Sequence, residues 1–223
     1  MMLPFSSGHL LGLRVFPQND FAPYRSVWHC TPEGNWSIYN DGPSLETTCP
    51  RWWGPALRHA ELTDIELQWP GPNELQVTME EPGLVWKMRM ATSPLLRTAN
   101  SISSSLPLRA WKLSPFVRLQ EWMAKQLFNM GNLRFSFITP SGKKAVIIPQ
   151  QIYFIRSSKA IWKGQALGQP ARLPKTPLIG KVPLPKYPVF MIGQAYARID
   201  NPDEFRRTRE RVVELPSPQA RNL

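Results

Sequence analysis

The feature that most constrains this chain is a strict two-residue alternation. Ile65, Leu67 and Trp69 alternate with Asp64, Glu66 and Gln68, and Leu75, Val77 and Met79 alternate with Gln76, Thr78 and Glu80. Successive side chains of a strand point to opposite faces, so this pattern demands strands with one buried face and one wet face. Pro70-Gly71-Pro72-Asn73 between the two runs fits a short hairpin loop. After Glu81-Pro82-Gly83 the run Leu84–Met90 supplies a third strand, which makes an antiparallel meander.

Similar punctuation extends in both directions. Tyr24–Cys30, the turn Pro32-Glu33-Gly34-Asn35 and Trp36–Asn40 form a hairpin. Strands resume at Leu133–Thr139 and Ala145–Ile148; Pro149 demands a bulge or a break before Gln151–Arg156. Ser158–Lys163 and Gly164–Gly168 form another hairpin, and Val189–Ile199 is the last strand. Residues 1–23 have no sustained period and suggest an irregular arm with a short strand at Leu11–Phe16. Pro50–Pro55, enclosing Trp52-Trp53-Gly54, is expected to be a loop, and residues 169–188, with six prolines, an extended surface segment.

Between the meander and the later strands the period changes. Ser93-Pro94 offers an N-cap and a first-turn proline, and Leu95, Ala99, Ile102 and Leu106 follow at spacings of three and four until Pro107. Ser114-Pro115 repeats the device. Phe116, Leu119, Trp122, Met123, Leu127 and Met130 then make one apolar stripe, Glu121 and Lys125 are expected to pair on the other face, and Gly131 closes the helix. Asn201-Pro202-Asp203-Glu204 starts a last helix that runs to about Val213. With 24 Pro, 9 Trp, 10 Phe and only 19% charged residues, composition favours short strands over a helical bundle. The expected fold is mainly β: an antiparallel barrel or sandwich with an inserted two-helix lid and a short C-terminal helix. Residues 1–200 would form a single β-rich domain with its helical insertion at 93–130, and residues 201–223 the C-terminal helix and tail.

Gly34-Asn35-Trp36, followed by Ser37-Ile38-Tyr39 near the first clear strand, resembles the Gly-x-Trp signature of the lipocalins. The resemblance covers about six residues directly. It implies a calycin-like barrel holding a hydrophobic ligand, with Trp36 closing the base of the barrel. Lipocalins place their helix after the barrel strands, whereas here the helical pair interrupts them.

The net charge of +11 is distributed unevenly. Residues 1–85 carry 4 Arg and no Lys against 10 acids; residues 86–186 carry 17 basic residues against Glu121 alone. A hundred-residue stretch with one acid attracts anionic partners: a lipid head group, a membrane surface, a nucleic acid or an acidic protein. No apolar run reaches the roughly 18 residues that span a bilayer, and the opening residues lack the basic region of a secretory signal. The expected location is therefore cytoplasmic, with peripheral membrane contact as a variant, and Cys30 and Cys49 are expected to be reduced thiols.

Three functional readings follow. The first is a binding protein for a hydrophobic or amphipathic, anionic small molecule in a lidded barrel, contacted by Tyr39, Trp53, Trp86, Phe116, Trp122, Lys143 and Lys144. The second is an enzyme of isomerase, hydratase or cyclase type working on an apolar substrate in the same cavity, with His29, Asp41 and His59 as candidate proton-exchanging groups. The third is a basic accessory subunit that docks on an anionic membrane or an acidic protein. No nucleophile elbow, phosphate loop or dinucleotide fingerprint is present, so no cofactor is expected. His9, His29, His59, Cys30 and Cys49 show no metal-ligand spacing, so no metal site is expected either. Arg134, Phe135, Phe137, Lys143, Lys144, Tyr153, Phe154 and Arg156 mix bases with aromatics on adjacent strands, but without a recognised motif nucleic acid is not the expected partner.

Overall fold

The alternating segments form strands. The computed structural model describes residues 1–91, 93–105, 107, 115, 118, 121–122, 125–126 and 131–213. Its strands are β1 (Met2–Pro4), β2 (Leu10–Phe16), β3 (Tyr24–Cys30), β4 (Trp36–Asp41), β5 (His59–Leu62), β6 (Glu66–Gly71), β7 (Glu74–Met79), β8 (Leu84–Met90), β9 (Ser136–Ile138), β10 (Lys144–Trp162), β11 (Gln165–Ala166), β12 (Leu178–Ile179), β13 (Val182–Pro183) and β14 (Val189–Ala197). The helices are α1 (Pro50–Trp53), α2 (Pro94–Ser105) and α3 (Pro202–Val213).

Twelve strands make one sheet in the order β5-β4-β3-β2-β1-β14-β10-β8-β7-β6, with β9 and β11 also paired to β10; β12 and β13 form a separate hairpin. Every pairing is antiparallel except that of β4 with β5. The two edge strands, β5 and β6, are joined in sequence by residues 63–65, and among the described residues no ladder pairs them. The chain is therefore mainly β with a large mixed sheet, and no closed barrel is found among the described residues.

The 19-residue β10 runs through both halves of this sheet. Ala145–Phe154 pair with β14 and Ile155–Trp162 with β8. The three separate segments expected here are thus one strand, and the interruptions are bulges, at Pro149/Gln151 and Ile155/Ser157. Proline has no amide to give to a ladder, so it sits where the ladder slips. The two-residue turn Lys163-Gly164, both at positive φ (49° and 78°), returns the chain to β11 with the twist that hairpins favour.

The inner faces of the two halves meet in a core. Leu3, Phe5, Leu11, Leu13, Val27 and Tyr39 pack with Leu75, Val77, Met79, Leu84, Trp86, Met88 and Trp162. The opposite face of β2, β3 and β4 is buried too: Leu10, Trp28, Cys30, Trp36 and Ile38 lie under Cys49 and Trp53 and under Ile179, Val182 and Leu184. β1 and β2 are therefore interior strands of the sheet, not an irregular arm. Leu10-Leu11-Gly12-Leu13 is buried on both sides and so shows no alternation. A Cβ at Gly12 would lie 3.1 Å from both Met2 Cε and Trp28 Cβ, so the packing there leaves little room for a side chain. The expected loop at Pro50–Pro55 contains α1 and the start of a 3-10 turn at Gly54–Ala56, which carry Trp53 into this second core.

α2 lies against β10. Where β10 has passed β9 and not yet met β8, the Asn100 side chain takes a strand's place: its amide donates to Ile152 O and its oxygen accepts from Ile152 N, both at 3.0 Å. The side chains of Leu95, Ala99 and Ile102, and Leu106 as a whole, lie outside the described residues. So do Leu119, Met123 and Leu127 of the expected second stripe. Pro115, Arg118, Glu121, Trp122, Lys125 and Gln126 are helical. Glu121 accepts the Phe135 amide at 2.8 Å, and no ion pair joins it to Lys125. Asn201 Oδ1 caps α3 by accepting from Asp203 N and Glu204 N. The helix docks through Phe205 on Phe21 and through the ion pairs Arg51–Glu204 and Arg211–Glu46.

Candidate functional site

The pairing registers place the three proton-exchange candidates on one face of the sheet. His29, Ser37 and His59 are direct neighbours across β3, β4 and β5; Val27, Tyr39 and Glu61 form the next row, and Arg25 and Asp41 the one after. They do not converge on one point. Ser37 separates the two histidines, so about two strand spacings, roughly 10 Å, lie between them. His29 is buried, its ring stacked on Trp162 with centroids 4.1 Å apart, and its Nε2 is 2.8 Å from His9 Nδ1. One nitrogen of that pair must carry the proton and the other accept it. Burial, then the positive charges of His9 and Lys163, pull the His29 pKa down from 6.5 to about 4. A neutral imidazole held this way is a weak base at neutral pH. His59 is half exposed and bonded to Glu61 at 2.9 Å. Asp41 is paired with Arg25 at 3.2 Å; burial nonetheless raises its pKa, with Arg25 opposing. Sequence reasoning missed His9 and Trp162 as partners of His29, because 20 and 133 residues separate them and no local spacing marks the contact.

The residues expected to contact a ligand are not brought together. Trp86 is fully buried between the sheet halves, its Nε1 donating to Ser158 Oγ at 2.9 Å. Tyr39 is in the same layer, with Trp162 edge-on to it. Trp53 is in the other core, beyond the sheet, where Arg14 lies 5.5 Å from its ring and 4.3 Å from that of Trp28. Lys143 is in a turn, paired with Asp200 at 2.8 Å, and Lys144 is exposed at the start of β10. Trp122 is 52% exposed. Phe116 lies outside the described residues. Trp36 is buried and donates Nε1–H to Leu178 O at 2.9 Å, a packing role. Cys30 and Cys49 are free and buried, and burial pushes the Cys30 thiol up to about 12, which leaves it protonated and unreactive.

What the fold does assemble is a basic sheet face. On β7, β8 and the second half of β10 the inner residues fill the core, while Gln76, Lys87 and Lys159 form one outward row; Thr78, Val85 and Ile161 flank it on one side, and Glu74, Arg89 and Ser157 on the other. Lys87 and Lys159 are direct cross-strand neighbours, and among the described residues neither is in an ion pair. Like charges placed opposite one another destabilise a sheet. Arg89 is engaged by Glu74. The bulge at Ile155/Ser157 turns Arg156 to the exposed side together with Ser157. Arg156 borders an open groove of about 550 Å³ shared with Asn73, Glu74, Arg89 and Ala91. A second groove, of about 270 Å³, lies between Cys30–Trp36 and Leu173–Leu178.

No protein-family model matches the chain, and no curated protein and no solved structure matches it either. Among the described residues there is no cluster of three metal-ligating side chains, and no helix is long and apolar enough to cross a membrane.

Proposed function

We propose that this protein is a non-catalytic docking module that attaches peripherally to an anionic phospholipid surface through the outward face of β7, β8 and β10. The observation that carries this reading is the Lys87–Lys159 pair on an exposed face, which no carboxylate neutralises among the described residues. The fold tolerates like charges in register there, and an anionic surface would relieve them. Val85 and Ile161, cross-strand neighbours and both exposed, offer apolar contact beside the charges. Four cations on this side, Lys87, Arg89, Arg156 and Lys159, stand against Glu74 and, two strands from Val85, Glu66. Each unpaired cation contributes about 1 kcal/mol near an anionic leaflet, so the attachment is weak, reversible and salt-sensitive. The ligand-cup and enzyme readings draw no comparable support, since Tyr39 and Trp86 pack in one layer and Trp53 in another.

Flotation with phosphatidylcholine vesicles, with and without phosphatidylserine, tests this across a salt series. The expected result is retention on anionic vesicles only, loss at high salt, and weakening of about tenfold or more in a Lys87→Glu/Lys159→Glu double variant. Equal retention on neutral vesicles would defeat the reading. So would failure on both vesicle types combined with binding to polyglutamate, which would identify an acidic protein as the partner.

A further inference from the structure

The groove beside the basic face has a built asymmetry. Arg89 and Arg156 both border it, but Glu74 occupies the Arg89 guanidinium, whereas among the described residues no carboxylate reaches Arg156. Arg156 is the extra residue of the bulge: Ile155 pairs with Met90 and Ser157 with Arg89, leaving Arg156 without a partner residue on β8. In a regular strand consecutive side chains take opposite faces. Here Ile155 packs against the core, and Arg156 and Ser157 are both exposed. The bulge thus spends a ladder position to bring a free guanidinium beside the groove, at the end of the rows that carry Lys87 and Lys159.

Resting on the docking reading above, we propose that this groove is a headgroup subsite for a terminal phosphate, a phosphomonoester carried by a membrane lipid, with Arg156 as its direct partner. A guanidinium presents parallel N–H donors that match two oxygens of one phosphate. A terminal phosphate offers three such oxygens and a charge of about −1.5 to −2, and it can enter a groove end-on. A phosphodiester is flanked by substituents on both sides and carries a single charge. Arg89, Arg156 and Glu74 leave one net positive charge at the groove, and Lys87 and Lys159 on the adjacent row bring the local excess to a value that suits a dianion. Asn73 at the β6–β7 turn adds an amide to the lining.

The test compares vesicles containing phosphatidate with vesicles containing phosphatidylglycerol, matched for surface potential, and adds soluble glycerol phosphate as a separate arm. Wild-type protein should favour phosphatidate by about tenfold, the value of one charge-assisted hydrogen-bond pair. Arg156→Lys should erase that preference while keeping the binding to phosphatidylglycerol, because the lysine keeps the charge and loses the fork; Arg156→Ala should erase it too and also weaken binding to both vesicles by about fivefold, the share of one docking cation. Arg156 is exposed, so neither change threatens the fold. Equal affinity for the two vesicles, or a preference that survives in both variants, overturns the subsite and leaves the docking reading standing. Binding of glycerol phosphate without binding to any vesicle overturns the lipid source, and no binding in any arm overturns both proposals.

Discussion

β3 and β8 are both seven-residue strands in the interior of the same sheet, and they are built by different rules. β8 alternates without exception, with Leu84, Trp86, Met88 and Met90 buried and Val85, Lys87 and Arg89 exposed. β3 is buried along nearly its whole length, because one face meets the other half of the sheet and the other lies beneath α1 and the 179–184 segment. The first arrangement concentrates polar freedom on one surface, and every charge there answers to solvent or to a partner. In the second, each polar atom must find a bond inside the protein. Trp86 Nε1, on the inner face of β8, has one, to Ser158 Oγ; Trp28 Nε1, in the doubly covered half, has none among the described residues and is an exception to that demand. The half of the sheet with an exposed face is therefore the one that offers its charged groups to solvent, and the doubly covered half is packed on both sides.

The largest effects that could break this comparison lie in the two cores. Trp86→Ala and Trp28→Ala should each destabilise the protein by about 3–5 kcal/mol, as large aromatic truncations do. Replacement by Phe separates the two sites. Trp86→Phe removes one partner of a buried hydrogen bond, whereas Trp28→Phe removes an N–H that bonds nothing and so costs less, by about 1 kcal/mol. Urea unfolding of the four variants reads the difference directly. Equal losses from the two Phe variants would mean that the Trp86–Ser158 hydrogen bond adds nothing to stability or that Trp28 Nε1 has a bond of its own.

A second effect separates the halves by pH. His29 lies on the inner face of the doubly covered half, facing His9 and Trp162, with Lys163 nearby. Its folded pKa of about 4 lies below the ordinary 6.5, so as pH falls the unfolded chain takes up a proton before the folded one does. Stability is unaffected above about pH 6.5, is lost progressively from there to about pH 4, and loses nothing more from this group below that. The slope in this window is at most about 1.4 kcal/mol per pH unit. His29→Gln should flatten the pH dependence of the unfolding midpoint across that window. A profile unchanged by the substitution would show that His29 is protonated in the folded protein at mildly acidic pH.

The same contrast explains what could be read from the sequence. The β6–β7–β8 meander and the β3–β4 hairpin were legible because alternation or turn residues marked them, and Pro149 announced its bulge. β1 was not, and β2 was read only as a short strand at Leu11–Phe16 in an irregular arm, since a strand covered on both faces has no period to show. The second bulge left no mark either: nothing in Ile155-Arg156-Ser157 says that one residue will fall out of register. That Arg156 faces outward beside Ser157 was therefore invisible, although Arg156 itself stood out as basic. The candidate site suffered for a related reason. Lys87 and Lys159 are 72 residues apart, and only the pairing of β8 with β10 makes them neighbours. The Gly34-x-Trp36 resemblance pointed to a tryptophan that the structure buries and bonds to Leu178 O, yet six local residues carry no information about whether β5 and β6 close a barrel.

The smallest effect is the most discriminating, because stability and binding should move in opposite directions. Lys87→Glu converts a like-charge cross-strand pair with Lys159 into an opposite-charge pair on an exposed sheet face. Such pairs are worth about 0.2–1 kcal/mol, so the folded state should become slightly more stable in low salt, and the gain should shrink as salt screens it. In the same protein, attachment to anionic vesicles should weaken, since one cation is lost and one anion gained on the docking face. Lys159→Glu should behave alike, and the double variant should forfeit the stability gain because two glutamates then oppose each other. A surface held for stability alone would show the first change without the second. A surface that serves solubility alone would show neither. Opposed shifts in the single variants, with the stability gain reversed and binding weakest in the double one, are expected only where the sheet carries an unfavourable charge pair for the sake of something that binds it.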